Sequence, residues 1–368
     1  MKAVRFDAWK TRPALVDVER PVPGPGEVLL KVAGSGACHS DVALYALFDQ
    51  DIAMPQLRPA YILGHEVTGW VEEAGPGVVG IEHGSAHMVY AARGCGHCAS
   101  CARGEDTLCD NVASMTSLGS GLGLDGGMAE YMTVPVRNLV PLGDADPIKA
   151  APLVDAGLTA YHAVKLALPR LDAGGRTALV IGLGGVGQFA VQILREMTAA
   201  TVLATDIKPE ACALAEARGA TVVAAGEDQA ARIRELTGGH GVDAVFDLVG
   251  SEDTIRLAQS AVAVRGRITV VGLAGGRTDW GFYTTPFEAE LTGTYMGTLE
   301  ELHELAALYR DGRLEVDVTP FALEDALDAY ARLEAGTMLG RAVVVPHGAV
   351  MGHDAAVAAG AEAVPVGG

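Results

Sequence analysis

The sequence predicts an α/β protein of two domains, a mainly β domain followed by a doubly wound parallel sheet. Three observations carry this. At 368 residues the chain is longer than one core ordinarily organises. Up to about residue 150 it is rich in Gly and Pro, with short apolar runs and little helical periodicity. Beyond that point all-apolar runs alternate with helical ones, the pattern of strands buried under helices on both faces.

The elements follow in order. "GEVLLKV" over 26–32 reads as a strand, "GWVEEAGPGVVG" as strand and turn, and "MAEYMTVP" as a short strand. "GLTAYHAVKLAL" has the apolar spacing of a helix. "TALVIG" is a buried strand, "VGQFAVQILREM" a helix and "ATVLATD" the next strand. "PEACALAEARG", "TVVAAG", "QAARIREL", "VDAVFDLVG", "DTIRLAQSAV" and "RITVVG" continue the alternation. After about residue 289 it loosens: "LEELHELAALYRDG" and "LEDALDAYARLEAG" are amphipathic helices stopped by Gly, and "RAVVVP" is a last strand. No repeat is present, and residues 347–368 form a low-complexity tail.

Composition excludes some partners. A net charge of -19 disfavours nucleic acid and anionic membrane surfaces. The most apolar window, Thr177 to Leu194, holds four glycines and two glutamines and does not read as a membrane span. The N-terminus lacks the apolar core of a secretion signal, so a cytoplasmic location, with reduced cysteines, is expected.

"VIGLGGVG" sets Gly182, Gly184, Gly185, Val186 and Gly187 after a strand and at the opening of a helix. The glycines permit a tight turn and close approach to a pyrophosphate, and the helix N-terminus offers free N–H groups. Asp206 closes the second strand, 19 residues beyond Gly187. A carboxylate there accepts ribose hydroxyls and repels a 2′-phosphate, which favours NAD over NADP, while Lys208 keeps the phosphorylated cofactor open.

"GCGHCASCARGEDTLC" carries Cys95, Cys98, Cys101 and Cys109. Four thiolates at this spacing suit tetrahedral zinc with no open position, a structural metal. An iron–sulfur cluster is the rival, for which the last gap is long. Chemistry then needs another place. "GACHSD" supplies Cys38, His39, Ser40 and Asp41, and "LGHEVTG" supplies His65 and Glu66. Either motif alone has an ordinary structural explanation. Beside a hydride-carrier domain, Cys38 and His65 look like ligands of a catalytic metal.

Taken in order, "GPGEVLLKV", "CHSD", "GHE", the cysteine run, "DAGLTAYHAV" and "GLGGVG" resemble the zinc-dependent medium-chain alcohol dehydrogenase family over residues 1–346. The likeness is nearest to bacterial secondary-alcohol dehydrogenases and carbonyl reductases. It implies a GroES-like catalytic domain from residues 1–154 and 290–346, and a Rossmann domain over 155–289. It implies NAD and two Zn2+ per chain. Cys38, His65 and Asp155 would hold the catalytic ion, and the four lobe cysteines the structural one. Glu66 would stand beside the catalytic ion and Asp41 would orient the His65 imidazole. Ser40 would pass the substrate proton, and His39 would lie beside the cofactor phosphates. The implied reaction interconverts an alcohol with a ketone or aldehyde, in a homo-oligomer, a tetramer ahead of a dimer.

Two departures stand out. Ser85 replaces an aspartate usual before the lobe, which lessens the expected local support. Ala43 and Met296, after Tyr295, stand where relatives often carry aromatics, which predicts room for secondary, bulky or aryl substrates. Tyr45, Phe48 and Leu57 are candidates for the entrance, with loop packing as the alternative. His83, His87, His97 and His162 read as structural or exposed, and Cys212 as a small buried hydrophobe. Two other readings stay open: a zinc-containing, NAD-binding regulatory relative without turnover, and a zinc-free quinone reductase.

Overall fold

A computed structural model describes residues 1–46, 55–338 and 340–348. Phe48 and residues 349–368 of the expected tail lie outside the described residues. Six strands form one wholly parallel sheet. From edge to edge they are Thr221–Val222, Thr201–Thr205, Thr177–Ile181, Val242–Asp247, Val262–Val270 and Glu290–Gly293. The order reverses between Thr177–Ile181 and Val242–Asp247, the point where such sheets open a crevice for a dinucleotide. The expected run "TVVAAG" shrinks to Thr221–Val222, because an edge strand has a partner on one side only.

The second sheet draws on both chain ends. Its order is Leu139–Pro141, Ala86–Val89, Glu66–Ala74, Glu27–Gly36, Arg341–Val345 and Val318–Ala322, with Tyr131–Pro135 also on Glu27–Gly36. Val343 and Val344 pair with Gly36 and Ser35, so the last strand lies beside the one that leads to Cys38. One expected boundary needs correction. Glu290–Gly293 pairs in parallel with Val262–Val270, so the parallel sheet extends past residue 289. The tail boundary at 347 also shifts: His347 bonds the Glu130 carbonyl at 2.8 Å and packs edge-on against Tyr131.

The helix Ala156–Leu171 links the two layers. It runs further than its apolar spacing suggested, with Pro169 in the last turn. There a missing N–H costs less than in the interior. Its Leu158, Val164 and Leu171 are fully buried in a core that includes Tyr90, Phe189, Phe246 and Leu302. The helix Leu299–Arg310 is started by a capping box between Thr298 and Glu301 and is followed by Gly312 at φ +70°.

Candidate functional site

Local folding delivers the first group. Cys38 follows the strand Glu27–Gly36 and precedes the helix His39–Ala46, whose first turn carries Ser40 and Asp41. His65 directly precedes the strand Glu66–Ala74. Asp155 is the residue before the helix Ala156–Leu171, and Thr159 donates to its Oδ1 at 3.1 Å, which leaves Oδ2 facing inward.

These segments converge. One ligand atom from each of Cys38, His65, Glu66 and Asp155 falls within 4.8 Å of the others. Cys38 Sγ is 3.6 Å from Asp155 Oδ2, and His65 Nε2 is 3.3 Å from the same oxygen. His65 Nδ1 lies 3.1 Å from Asp41 Oδ1. Asp41 is itself held: Oδ2 accepts the Cys38 N–H at 3.2 Å and the Tyr330 hydroxyl at 3.1 Å. Ser40 Oγ stands 3.1 Å from His65 Nε2.

The electrostatics ask for a cation. Asp41, Glu66 and Asp155 gather around His65, with Arg341 as the buried cation bonded to Glu66. Burial pushes the Glu66 carboxyl up to about 6 against the pull of Arg341. Burial opposes a charge on His65, yet Asp41 and Asp155 outweigh it and raise its pKa. His65 Nδ1 and Asp41 Oδ1 face each other, whereas the buried Glu66 Oε2 has no hydrogen-bond partner. A thiol, an imidazole and carboxylates, with a buried polar atom left over, fit a divalent ion such as zinc.

The lobe is a second candidate metal centre. Sulfur atoms of Cys95, Cys98, Cys101 and Cys109 also fall within 4.8 Å of one another. Cys109 Sγ accepts the N–H groups of Cys95 and Asn111, each at 3.4 Å, and Cys98 Sγ accepts that of Cys101 at 3.4 Å. Donors aimed at sulfur favour thiolates. The His97 N–H, and then the Asn111 amide, draw the Cys95 thiol down to about 6, whereas burial pushes Cys101 up to about 12. Support absent at Ser85 comes from elsewhere: buried Asp106 accepts the Gly94 N–H at 3.1 Å and pairs with Arg137 at 2.9 Å.

The glycine turn is built for close approach. Gly182 has φ +90°, and a Cβ at Gly187 would sit 2.0 Å from the Gly182 carbonyl oxygen. Asp206 accepts the Leu183 N–H at 2.6 Å and the Lys208 N–H at 2.9 Å, at the end of the neighbouring strand. Arg341 escaped the sequence reading. It is the one charged residue in "RAVVVP", and its guanidinium packs where a Gly185 Cβ would lie, 2.5 Å away. His39 feels Arg341 and Lys208; burial first and these cations next lower its pKa. Arg341 and Lys208 therefore place positive charge beside the turn, suited to a pyrophosphate, with His39 next to them as an imidazole they hold back from protonation.

The pocket candidates divide. Ala43 is buried, and Tyr45 is buried with its hydroxyl donated to Glu334 at 2.7 Å, which favours packing for Tyr45. Leu57 and Met296 share its apolar cluster. Tyr295 is 41% exposed. His83 and His97 are exposed, His87 and His162 bond Ser85 and Glu301, and Cys212 is half-buried rather than buried.

Comparison with known proteins agrees with this layout. Residues 24–144 match the family model described as alcohol dehydrogenase GroES-like domain, and residues 185–311 match zinc-binding dehydrogenase. An NAD-dependent alcohol dehydrogenase of Saccharolobus solfataricus is 34% identical over 94% of this chain and 100% of its own. The alcohol dehydrogenase structure from Aeropyrum pernix superposes with a TM-score of 0.85 at 37% identity, covering 94% of this chain and 100% of that one. Acetophenone reductase from Geotrichum candidum, solved with NAD, gives 0.80 at 32% identity, covering 94% and 96%.

Proposed function

Because the chain belongs to the zinc-type medium-chain alcohol dehydrogenase family, we propose that it interconverts secondary, bulky or aryl alcohols with their ketones or aldehydes, using NAD. The observation that carries this is the meeting of Cys38, His65 and Asp155 from three separate segments. In our reading these three hold a catalytic zinc, with Glu66 beside it, and the four lobe cysteines hold a structural zinc, two ions per chain. When bound, zinc supplies the Lewis acidity that makes an alcohol oxygen more acidic and a carbonyl more electrophilic.

The chain's own residues supply the rest. Asp41, fixed by Tyr330 and the Cys38 N–H, orients the His65 ring. Ser40 is the hydroxyl beside that ring, placed to take the alcohol proton and, with NAD bound, to hand it on towards the ribose. NAD, when bound, would supply the acceptor for the hydride that the carbinol carbon loses as it becomes a carbonyl. Gly182, Gly184, Gly185, Val186 and Gly187 would cradle the pyrophosphate, with Arg341 and Lys208 supplying positive charge and His39 standing beside it. Asp206 receives the adenosine ribose. Holding the reacting carbon near the ring is the main catalytic service of the fold.

The two sheets support a division in which residues 1–154 and the segment from 294 to 346 build the catalytic domain, and 155–293 the cofactor domain. We read the assembly as a cytoplasmic homo-oligomer, tetramer ahead of dimer. The exposed cluster of Trp280, Phe282, Tyr283 and Phe287 supports self-association. Among the described residues no helix is long and apolar enough to cross a membrane. The test is a panel of secondary alcohols, aldehydes and ketones with NAD(H) and NADP(H), alongside metal analysis. Turnover of secondary or aryl alcohols, lost in Cys38→Ala with its metal, is expected. NAD binding without any turnover, or ethanol strongly preferred over bulky alcohols, would contradict the reading.

A further inference from the structure

The chain leaves the parallel sheet at Gly293 and enters the helix at Leu299 by way of Tyr295 and Met296. Tyr295 stands within electrostatic reach of Asp155 and His65. Met296 is buried and holds φ +48°, a left-handed backbone at a residue with a Cβ. Such a conformation persists only where its surroundings over-determine it.

What determines it lies at the next residues. The Gly297 carbonyl accepts the buried Tyr90 hydroxyl at 2.8 Å and, more weakly, the Thr107 hydroxyl at 3.5 Å. The Leu299 N–H donates to the Gly104 carbonyl at 3.2 Å. Gly104 and Thr107 belong to the cysteine lobe, and Tyr90 follows the strand that leads into it. On the other side Gly297 has no room for a side chain: a Cβ would stand 2.8 Å from Leu158 Cδ1 and from Glu301 Oε2. Thr298 and Glu301 then lock the helix start. The segment is clamped, with the lobe as one jaw.

We propose that Tyr90 and Thr107 are positioning residues through which the cysteine lobe sets the shape of the substrate pocket at Tyr295 and Met296. This rests on the proposed dehydrogenase function and on the expectation from sequence that Met296, after Tyr295, borders the room left for substrate. The lobe then governs which alcohol is accepted, as well as how stably the domain folds. A lobe that only stabilised the fold would affect all alcohols alike.

The test uses the full, metal-replete chain with NAD. Tyr90→Phe removes the hydroxyl and keeps the ring, and Thr107→Val removes the second donor. kcat and KM are measured for 2-propanol and 1-phenylethanol, with metal content and hydrogen exchange of the 296–299 amides. In Tyr90→Phe we expect the ratio of the two kcat/KM values to move roughly fivefold, the size of one neutral hydrogen bond, mostly through KM. Exchange at 296–299 should quicken with metal content unchanged, and the effect should be non-additive with Met296→Ala. A Tyr90→Phe that melts earlier but keeps the ratio within twofold overturns the proposal. So does a Met296→Ala that leaves the ratio alone, although the dehydrogenase reading would stand. A wild-type chain that turned over neither alcohol would sink that reading itself, and unchanged exchange in Tyr90→Phe would sink the clamp independently.

Discussion

Arg341 carries its charge into the interior, where it meets another. It and Glu66 are both buried and bonded to each other. Such a pair contributes little net stability compared with an apolar pair, because both charges lose water. Removing one partner is different, since a stranded buried charge costs about 3–5 kcal/mol. Arg341→Met should therefore lower stability by about 3 kcal/mol, read as the urea midpoint without cofactor. Adding Glu66→Gln should recover most of the loss. A single variant as stable as wild type would show that the pair carries no such cost. The same residue marks the limit of sequence reading at this scale. Cys38, His39, Ser40 and Asp41 sit in one short motif, and His65 and Glu66 in another, each with a chemistry visible in its composition. Arg341 stands alone at the head of a valine strand, 275 residues from Glu66, and only the strand Glu27–Gly36, which pairs with both of theirs, brings them together. Tyr330 escaped for the same reason: it looks like one more apolar face residue of its helix until its hydroxyl is seen on Asp41.

At the scale of elements, the periodicities were legible and the ends were not. The alternation of strand and helix between residues 177 and 270 is written in apolar spacing, which depends on neighbours in the chain. The membership of Glu290–Gly293 depends on a partner strand, which spacing cannot show. The helix Leu299–Arg310 shows how one element's chemistry reaches outward. Glu301 closes the capping box and also meets His162 Nδ1 at 2.9 Å on the helix Ala156–Leu171. Burial alone would raise the Glu301 carboxyl, but the His162 hydrogen bond and the Thr298 N–H outweigh it and hold it below 4.5. The folded value lies below the unfolded one, so this stabilisation is fully present above about pH 4.5 and is lost as pH falls through the lower, folded value. Glu301→Gln keeps an acceptor for both donors and loses the charge. Its melting temperature should fall less steeply than that of wild type between about pH 5 and pH 3. Parallel acid limbs for the two proteins would remove Glu301 from the account.

The whole molecule joins two sheets across the space that the glycine turn faces. Arg341, from the mixed sheet, packs on Gly185 of the parallel one, and Lys208 Nζ reaches the Gly336 carbonyl at 2.6 Å. Arg218 pairs with Asp317, and Gln192 bonds the Glu315 carbonyl at 3.1 Å. A dinucleotide on the turn would touch groups from both sides, so its binding energy would add to the cohesion of the whole chain. A ligand that binds only the folded state stabilises it by about 2.7 kcal/mol at one hundred times its Kd. NADH should thus raise the melting temperature, with a shift that grows logarithmically with concentration. NADPH should do so much less at equal concentration. In the proposed reading Asp206 receives the ribose; its carboxylate is already fixed by the N–H groups of Leu183 and Lys208, and a 2′-phosphate would bring negative charge against it. The Lys208 ammonium is held on the Gly336 carbonyl, so offsetting that repulsion would mean breaking a contact between the two sheets. Asp206→Ala should bring the two shifts together. Equal shifts in the wild-type protein would mean that Lys208 leaves Gly336 to meet the phosphate, and that Asp206 does not discriminate.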